Sequence, residues 1–565
     1  LDNLPISDDS CAMFRALGEY DFADDVSVTV LGHIFEQSVS DLEKLKELAG
    51  QDGFSLDTLE AQAVESSRSV SGKRTTDGVV YTPDPVTRFI VDQTLSSYLA
   101  DQQAVLRKEY AKEQDGIDVW RKPTKEETAK YTGKKKQAKR KNTERLVEFL
   151  FWTEWRNRLC NVRVVDPACG SGAFLVAAFD VLDAEYRRAN EQIQAITGNP
   201  DLFDINREIL NANLYGVDLN PESIEITKLS LWLKTAQYGK PLESLEANLR
   251  VGNSLITDNS FAKRPFEWKA EFPQVFSEGG FDVVLGNPPY VRMEYLKPFK
   301  PYLQKHFKVA SGRADLYCYF YELGVMLLKS GGRLGYISSS TFFKSGSGQA
   351  LRRYLLDHTQ IRNIVDFGDI EVFDGVTTDP AVVVLDRVSK PNPAGNIAFL
   401  NLGLTMPESL AATFKQDACA MAQGQLSDGS WQIEEDAPAA IRRKLSEGRR
   451  TLKDVYGAPL YGVKTGLNEA FVIDCATRER LIANDPNSAT LIKPFLKGAD
   501  DLAKWRIESH DQWLIYIPKG KIKIDEFPAI KAHLWPFKAK LEKRATKQEW
   551  FELQQPQDAY INDFN

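Results

Sequence analysis

A strand, a glycine turn and a helix follow one another directly at residues 164–186, and this succession constrains the fold more than any other part of the chain. An apolar pair leads into Asp166, the turn contains Gly170 and Gly172, and the residues after it have helical apolar spacing. Glycines let a backbone approach a ligand closely, whereas an acid at the strand end disfavours a pyrophosphate. A carboxylate suits a cationic sulfonium, so the segment favours S-adenosylmethionine over NAD.

Two further short strands end in polar residues. Residues 214–218 end in Asp218 and precede a helical pattern, and a third segment, 249–255, contains Asn253. An acid at the end of such a strand can hold both hydroxyls of a ribose, and the Asn253 amide is suited to reading an adenine edge. The order of these segments predicts a ligand site at one edge of an open α/β sheet.

The motif Asn287-Pro288-Pro289-Tyr290 follows the apolar run 281–286 and so ends a buried strand. The Asn287 amide oxygen and the Pro288 carbonyl can accept both hydrogens of one NH2 group, while Tyr290 offers a flat face for stacking. Methylation of an amino group on adenine requires such acceptors. The motif alone leaves several nucleophiles open, and a bare Pro-Pro-aromatic turn can also simply end a strand.

Taken in order, these motifs resemble the gamma-class adenine-N6 DNA methyltransferases, most of all those of Type IIG restriction-modification enzymes and related phage-defence methylases. The resemblance is strong over roughly residues 25–390. It extends upstream to residues 78–83, which are similar to the family segment that closes over the methionine end of the cofactor. Downstream, residues 313–317, 332–337 and 367–385 resemble the remaining catalytic motifs in the family order.

The resemblance implies a role for each matching position. Asn287 and the Pro288 carbonyl hold the target amino group, Pro289 stiffens the turn, and Tyr290 and Phe373 are two aromatic walls around an adenine flipped out of the duplex. S-adenosylmethionine is held by residues of the four cofactor segments: Tyr81, Thr82, Pro83, Asp166, Ala168, Gly170, Gly172, Asp218, Leu219, Asn253 and Ser254. Many relatives have an acid where Asn253 stands. No general base is predicted, because the sulfonium is already a strong electrophile. No metal ligand is predicted either.

Three domains are predicted. Residues 1–154 read mainly as helix, with amphipathic stretches at 28–48 and 81–99, and form a helical connector that includes the cofactor-closing segment. Residues 155–390 alternate strands and helices and form a Rossmann-like α/β catalytic domain, with an antiparallel strand near 381–385. After a Pro/Gly-rich linker at 389–395, residues 391–565 form a mixed α+β target-recognition domain.

Composition agrees with an intracellular enzyme. The six cysteines show no short paired spacing, which indicates reduced cytoplasmic thiols, and no apolar run suggests membrane insertion. The net charge is −8, yet residues 121–145 are strongly basic. That stretch either tracks DNA phosphates or is a solvated insertion between helices. Trp431, Trp505 and Trp513 favour core positions over base readout.

Double-stranded DNA is the predicted partner, and two other function classes stay open. The same tetrapeptide occurs in enzymes that methylate a protein glutamine or an RNA guanine, but those enzymes are generally compact. A non-catalytic DNA-specificity subunit would keep the fold without the chemistry. The chain starts at Leu1 and is expected to be a fragment whose relatives carry a nuclease domain; no convincing nuclease motif is found in it.

Overall fold

The computed structural model describes residues 82–557 with short gaps, and the chain divides into two compact units, Leu1–Ala439 and Ala440–Asn565. The gaps are 115–116, 133–144, 200–202, 237–241, 292, 312, 374–377, 435, 451–453, 456, 458–461, 497–501, 504–505, 508–510 and 545–546. The structure does not describe the predicted helix at 28–48, Tyr81, Trp505 or residues 133–144 of the basic stretch.

A nine-stranded mixed sheet forms the centre of the first unit. Its strands are β3 Val164–Asp166, β4 Leu214–Asp218, β5 Leu249–Val251, β6 Phe281–Gly286, β7 Leu328–Ser339, β8 Thr359–Asp366, β9 Pro380–Arg387, β10 Asn396–Asn401 and β11 Cys419–Ala422. They lie in the order β11-β10-β8-β9-β7-β6-β3-β4-β5. Five neighbouring strands, β7, β6, β3, β4 and β5, are parallel, and β9 lies antiparallel between β7 and β8. The antiparallel strand predicted near 381–385 is therefore confirmed.

Helices connect these strands and cover both faces of the sheet, so the predicted α/β fold is confirmed. A small hairpin, β1 Ala111–Gln114 and β2 Ile117–Trp120, lies ahead of them. The helices of this unit are α1 Asp84–Val91, α2 Ser97–Tyr110, α3 Lys125–Thr132, α4 Leu146–Leu159, α5 Ala173–Thr197, α6 Ile205–Glu208, α7 Pro221–Thr235, α8 Trp268–Glu271, α9 Pro273–Ser277, α10 Lys300–His306, α11 Leu316–Leu327, α12 Thr341–Lys344, α13 Gln349–His358 and α14 Leu410–Asp417. Helix α15 Asp436–Ser446 contains the division between the two units at Ala439.

Neighbouring residues of the central strands face opposite layers of the core. Val164 and Val283 belong to one apolar cluster, whereas Val165 and Val284 belong to another, and all four are fully buried. Both faces of the strands are thus covered, which explains why they read as continuous apolar runs rather than as an alternating pattern.

Helix α2 is held against the sheet by buried polar contacts. The Arg333 guanidinium on β7 donates to the Ser97 hydroxyl and the Asp101 carboxylate, each at 2.7 Å. The Tyr98 hydroxyl donates to Asp282 on β6, also at 2.7 Å. Because these charged groups are paired where they are buried, the helical segment ahead of the sheet is an integral part of this unit.

The predicted domain boundary at residue 390 lies inside the sheet. The Pro/Gly-rich segment 389–395 connects β9 to β10, and β10 pairs in parallel with β8. Trp431 is buried against Phe343, with ring centroids 5.7 Å apart. The compact unit ends at Ala439 instead, because a turn-rich segment joins two strands of one sheet as readily as it joins two domains.

The second unit is a small α+β body with its own core. Its elements are α16 Asn468–Phe471, β12 Val472–Asp474, α17 Cys475–Asn484, β13 Ile492–Phe495, β14 Leu502–Ala503, β15 Arg506–Ile507, β16 Gln512–Ile515, α18 Pro528–Leu534 and α19 Lys538–Glu542. The three-stranded antiparallel sheet has the order β12-β16-β13, and β14 pairs with β15. Trp513, on β16, is half-buried at the edge of the core, and the Arg478 guanidinium lies 4.0 Å from its ring centroid.

Two ends of the basic stretch fall within the described residues. Arg121 pairs with Glu127 at 2.6 Å, and Arg145 pairs with Glu148 at 2.8 Å. Neither arginine therefore contributes an unpaired charge at these ends. Across the described part of the chain, no helix combines the length and the apolar character needed to cross a membrane.

Candidate functional site

A cavity of about 710 Å³ opens at the carboxyl ends of β3, β4, β5 and β6. Strands β4 and β5 lie on one side of β3 and β6 lies on the other, so the cavity is at the point where the strand order reverses. Open α/β sheets bind ligands at this point. Its walls include the predicted residues Thr82, Asp166, Ala168, Gly170, Asp218, Leu219, Asn253, Ser254, Asn287 and Pro289.

The glycine loop is fixed by the two acids that precede and face it. The Asp166 carboxylate accepts the Ala168 N–H at 3.0 Å, which closes a tight turn at the end of β3. The Gly170 N–H donates to Asp218 Oδ2 at 2.9 Å, which ties the loop to the end of β4. The loop is therefore shaped by its neighbours before any ligand binds, and part of its donor capacity is already used.

Asp166 lies deep in the site, with only 1 % of its surface exposed. Burial raises the pKa of this carboxyl to about 8; the Ala168 N–H opposes the shift and the nearby Asp218 charge adds to it. Asp166 is consequently mostly protonated at neutral pH. A cation beside it would favour the ionised form, because opposite charges lower the pKa of an acid.

Gly172, the second predicted glycine, is required by the backbone. It precedes α5 with φ of +85°, and a Cβ there would lie 2.8 Å from a carbon of the Thr227 side chain. It is not among the residues that line the cavity. The left-handed backbone and the close approach of α7 both favour glycine at this position.

Asp218 combines backbone contacts with exposure to the cavity. Its Oδ1 accepts the Asn220 N–H at 2.8 Å, and its Oδ2 accepts Gly170. Burial raises its pKa, and the two backbone N–H groups oppose that shift. A carboxylate has lone pairs for about four hydrogen bonds, so it can still accept from a pair of hydroxyls. Leu219, next to it, is 57 % exposed at the cavity rim.

Asn253 and Ser254 form the third side of the site. The Asn253 side-chain oxygen accepts the Leu255 N–H at 3.1 Å, so its NH2 group is the part of the amide that is left for a ligand. Ser254 Oγ donates to the Pro167 carbonyl at 2.5 Å and joins this segment to the glycine loop. The Ser254 hydroxyl proton is therefore already used in a contact that holds the cavity wall together, and is not available to a ligand.

The Asn287 motif completes the cavity at the end of β6. Asn287 Nδ2 donates to Thr82 Oγ1 at 3.0 Å, across 205 positions of the chain. Pro289 lines the cavity, whereas Pro288 is buried behind it. Pro83 precedes α1 and does not reach the cavity wall.

Tyr290 and Phe373 are brought together, but not as two opposed walls. Their rings meet edge to face with centroids 5.7 Å apart and planes at 65°. A base stacked between two rings needs roughly 7 Å between the ring planes, since each van der Waals contact takes about 3.5 Å. The two rings would have to separate to hold a base between them.

Part of the chain that forms the cavity matches a known protein family. Residues 212–373 match the family model described as Eco57I restriction-modification methylase. These residues run from β4 to Phe373 and include Asp218, Asn253 and Asn287. This segment is an Eco57I-type restriction-modification methylase domain.

Curated relatives agree with the methylase domain. The chain is 30 % identical over 254 residues to the Type II restriction enzyme and methyltransferase RM.Eco57I of Escherichia coli, covering 41 % of this chain and 25 % of that protein. It is 25 % identical over 397 residues to the Type II methyltransferase M.BstVI of Geobacillus stearothermophilus, covering 66 % and 65 %. The chain therefore spans less than two thirds of either relative.

One solved structure shares the fold. The Type IIL restriction-modification enzyme MmeI, solved in complex with DNA, superposes with a TM-score of 0.55 at 16 % sequence identity, covering 86 % of this chain and 58 % of that one. At this identity the likeness concerns the fold alone.

The methylase domain also has an apolar cavity wall that the sequence analysis missed. It is formed by Leu296, Phe299, Leu303, Leu316 and Phe320. Leu303 lies on α10 with Phe299 just before it, whereas Leu316 and Phe320 lie on α11, whose apolar run looks like ordinary core in the sequence. Only the fold shows that one side of these helices borders a cavity. Among the described residues, no group of three His, Cys, Asp or Glu side chains is arranged to hold a metal ion.

Proposed function

We propose that this chain is a site-specific DNA methyltransferase of a restriction-modification or phage-defence system, and that it transfers the methyl group of S-adenosylmethionine to adenine N6. The observation that carries the proposal is that Asp166, Asp218, Asn253 and Asn287, from four separate strand ends, border one cavity. A cofactor end and an amine-accepting end are thus adjacent.

The residues present fit S-adenosylmethionine. The cavity volume lies within the range of about 300–1,000 Å³ that is usual for small-molecule sites. Asp218 would hold the ribose hydroxyls, the Asn253 NH2 group would donate to the adenine, and the apolar wall with Phe320 would cover its faces. Asp166 would lie near the sulfonium, whose positive charge favours an ionised carboxyl. When bound, the cofactor supplies an electrophilic methyl group.

The target nitrogen would be held by acceptors. Asn287 Oδ1 and the Pro288 carbonyl would each accept one hydrogen of the amino group, which draws its lone pair out of conjugation with the ring. The nitrogen then becomes a better nucleophile without losing a proton first, and the surplus proton leaves to water after transfer. A paired adenine cannot reach the cavity, so the base would be extruded and stacked on Tyr290 once that ring parts from Phe373.

The second unit would supply DNA contacts and target recognition. Residues 519–547 contain eight Lys and one Arg against three Asp or Glu, in a chain whose net charge is −8. Trp535 is 56 % exposed, and Lys538 Nζ lies 4.7 Å from its ring centroid. Exposed aromatic rings beside lysines suit stacking and phosphate neutralisation. A nuclease elsewhere in the same system is compatible with the relatives' names but is not needed for this activity.

The proposal is tested by incubating the chain with radiolabelled S-adenosylmethionine and mixed bacterial DNA. Modified bases are identified by mass spectrometry, and their positions by long-read sequencing. N6-methyladenine at one recurrent sequence would support the proposal and give the specificity. Label in protein or RNA, with none in DNA, would favour the glutamine or guanine alternatives.

Asn287→Ala is the decisive variant. It should abolish methyl transfer and change cofactor affinity by no more than a few-fold, because it removes an acceptor of the target nitrogen. Asn401→Ala, an exposed asparagine on β10, is the matched control and should keep full activity. Cofactor binding without methylation of any substrate by the unaltered chain would favour a non-catalytic specificity subunit.

A further inference from the structure

Thr82 lies between the cofactor end of the cavity and the Asn287 amide. Its side chain is 4 % exposed, it lines the cavity, and its Oγ1 accepts a hydrogen bond from Asn287 Nδ2 at 3.0 Å. The resemblance to the methyltransferase family assigns this segment to the cofactor alone. The hydrogen bond instead connects it to the residue that would receive the target amine.

We infer that Thr82 is a positioning residue for methyl transfer, whose hydroxyl orients the Asn287 amide so that the amide oxygen faces the target nitrogen. This inference rests on the proposed function. An asparagine amide has a donor side and an acceptor side of nearly equal shape. Only the acceptor side can bind an amino group that must give both hydrogens to acceptors, so the orientation of the amide decides whether the site works.

The hydroxyl of Thr82 occupies the donor side of that amide. With Nδ2 donating to it, the hydroxyl acts as an acceptor. Rotating the amide by half a turn would require the hydroxyl to turn and donate instead, and it would present a donor to the target's own N–H groups. Donation by the NH2 group also makes the amide oxygen a better acceptor, since linked hydrogen bonds polarise one another. One contact thus contributes to both the direction and the strength of the acceptor.

Thr82 can do this because its backbone is held firmly. Its carbonyl accepts the Thr87 hydroxyl at 3.3 Å, and the next carbonyl, of Pro83, accepts the Val86 and Thr87 N–H groups at the start of α1. The buried face of α1 belongs to the same apolar cluster as Leu285 on β6, two residues before Asn287. Thr82 and Asn287 are therefore anchored to one core.

The test compares Thr82→Val, which keeps the shape and loses the hydroxyl, with Thr82→Ser, which keeps the hydroxyl. Single-turnover methyl transfer to adenine and the Kd for S-adenosylmethionine are measured for each variant. Thr82→Val should slow transfer about 10- to 100-fold at saturating cofactor and DNA, as expected for a misplaced reacting group, with cofactor Kd within about 3-fold. Thr82→Ser should recover most of the rate.

Controls separate this role from a structural one. Thr359→Val removes another fully buried hydroxyl, away from the cavity, and should leave the transfer rate unchanged. A Thr82→Val enzyme that transfers at the normal rate but binds cofactor weakly would overturn the inference, as would equal losses in the Val and Ser variants. If the unaltered chain methylates no DNA, the proposed function itself fails and the inference fails with it.

Discussion

The rings of Tyr290 and Phe373 touch edge to face, with centroids 5.7 Å apart, and Phe373 is only 2 % exposed. Tyr290 is partly buried and packs against the same apolar cluster as Phe373. Its hydroxyl is buried and has no hydrogen-bond partner among the described residues. In this conformation the two rings leave no room for a flipped base between them.

Tyr290→Phe should stabilise the free protein while keeping the stacking ring. Removing a buried hydroxyl that lacks a partner relieves a desolvation cost on the order of 1 kcal/mol. A rise in melting temperature with near-normal methyl transfer is expected. Tyr290→Ala is the contrast and should lose transfer through lost stacking. A clear loss of activity in the Phe variant would show that the hydroxyl acts in the reaction.

Asp166 should make the stability of the free protein fall as pH rises. An unfolded aspartate has a pKa near 3.9, whereas the folded one is about 8, so between these values only the folded state holds the proton. Folding then takes up a proton, and stability declines with pH up to about 8. Asp166→Asn removes this contribution. The difference in melting temperature between the variant and the unaltered protein should therefore shift in favour of the variant as pH rises from 6 to 8.5.

The control for this pH effect is an exposed acid. Asp258 has a pKa that is lowered by hydrogen bonds from the Ser260 hydroxyl and N–H. Asp258→Asn should show no such gain with rising pH. If melting temperature changed with pH equally in Asp166→Asn and in the unaltered protein, Asp166 would be ionised in the free protein.

Asp218→Ala should weaken binding of S-adenosylmethionine about 10- to 100-fold. The change removes the proposed acceptor of the ribose hydroxyls, and a hydrogen bond to a charged group is worth roughly 1.5–3 kcal/mol. It also removes the acceptor of the Gly170 and Asn220 N–H groups, which shape the cavity. Asp218→Asn keeps one acceptor oxygen, so its Kd for S-adenosylmethionine should lie between those of the unaltered protein and Asp218→Ala. Titration calorimetry measures the Kd; an unchanged value would exclude Asp218 from cofactor binding.

Trp535→Ala should reduce affinity for duplex DNA roughly 10-fold, in line with the loss of one stacking contact. Cofactor affinity should stay unchanged, and stability should change little because the ring is 56 % exposed. Leu404→Ala, which removes an 84 % exposed apolar side chain from the first unit, is the matched control. Fluorescence anisotropy with labelled DNA measures the DNA affinity of both variants. Equal affinities for the two variants would contradict a DNA contact at Trp535.

Much of the sheet could be predicted from local pattern. The buried strands that end in Asp166 and Asp218, and the one that ends just before Asn287, have both faces covered. Each therefore reads as a short apolar run followed by a polar residue. The boundary at 390 could not be predicted in the same way. Pairing of β10 with β8 depends on residues far apart in sequence, and a turn-rich segment carries no information about which strand comes next.

By itself, the sequence determined which chemical groups stand at the strand ends and in what order, because strand, turn and helix signals act over a few residues. Tertiary structure alone decided how those groups meet. In the folded protein Thr82 is hydrogen-bonded to Asn287, and Gly172 lies against Thr227. Phe320 lines the cavity, and Tyr290 contacts Phe373. Such contacts join residues tens to hundreds of positions apart, and they form only when packing of the whole core brings the elements together.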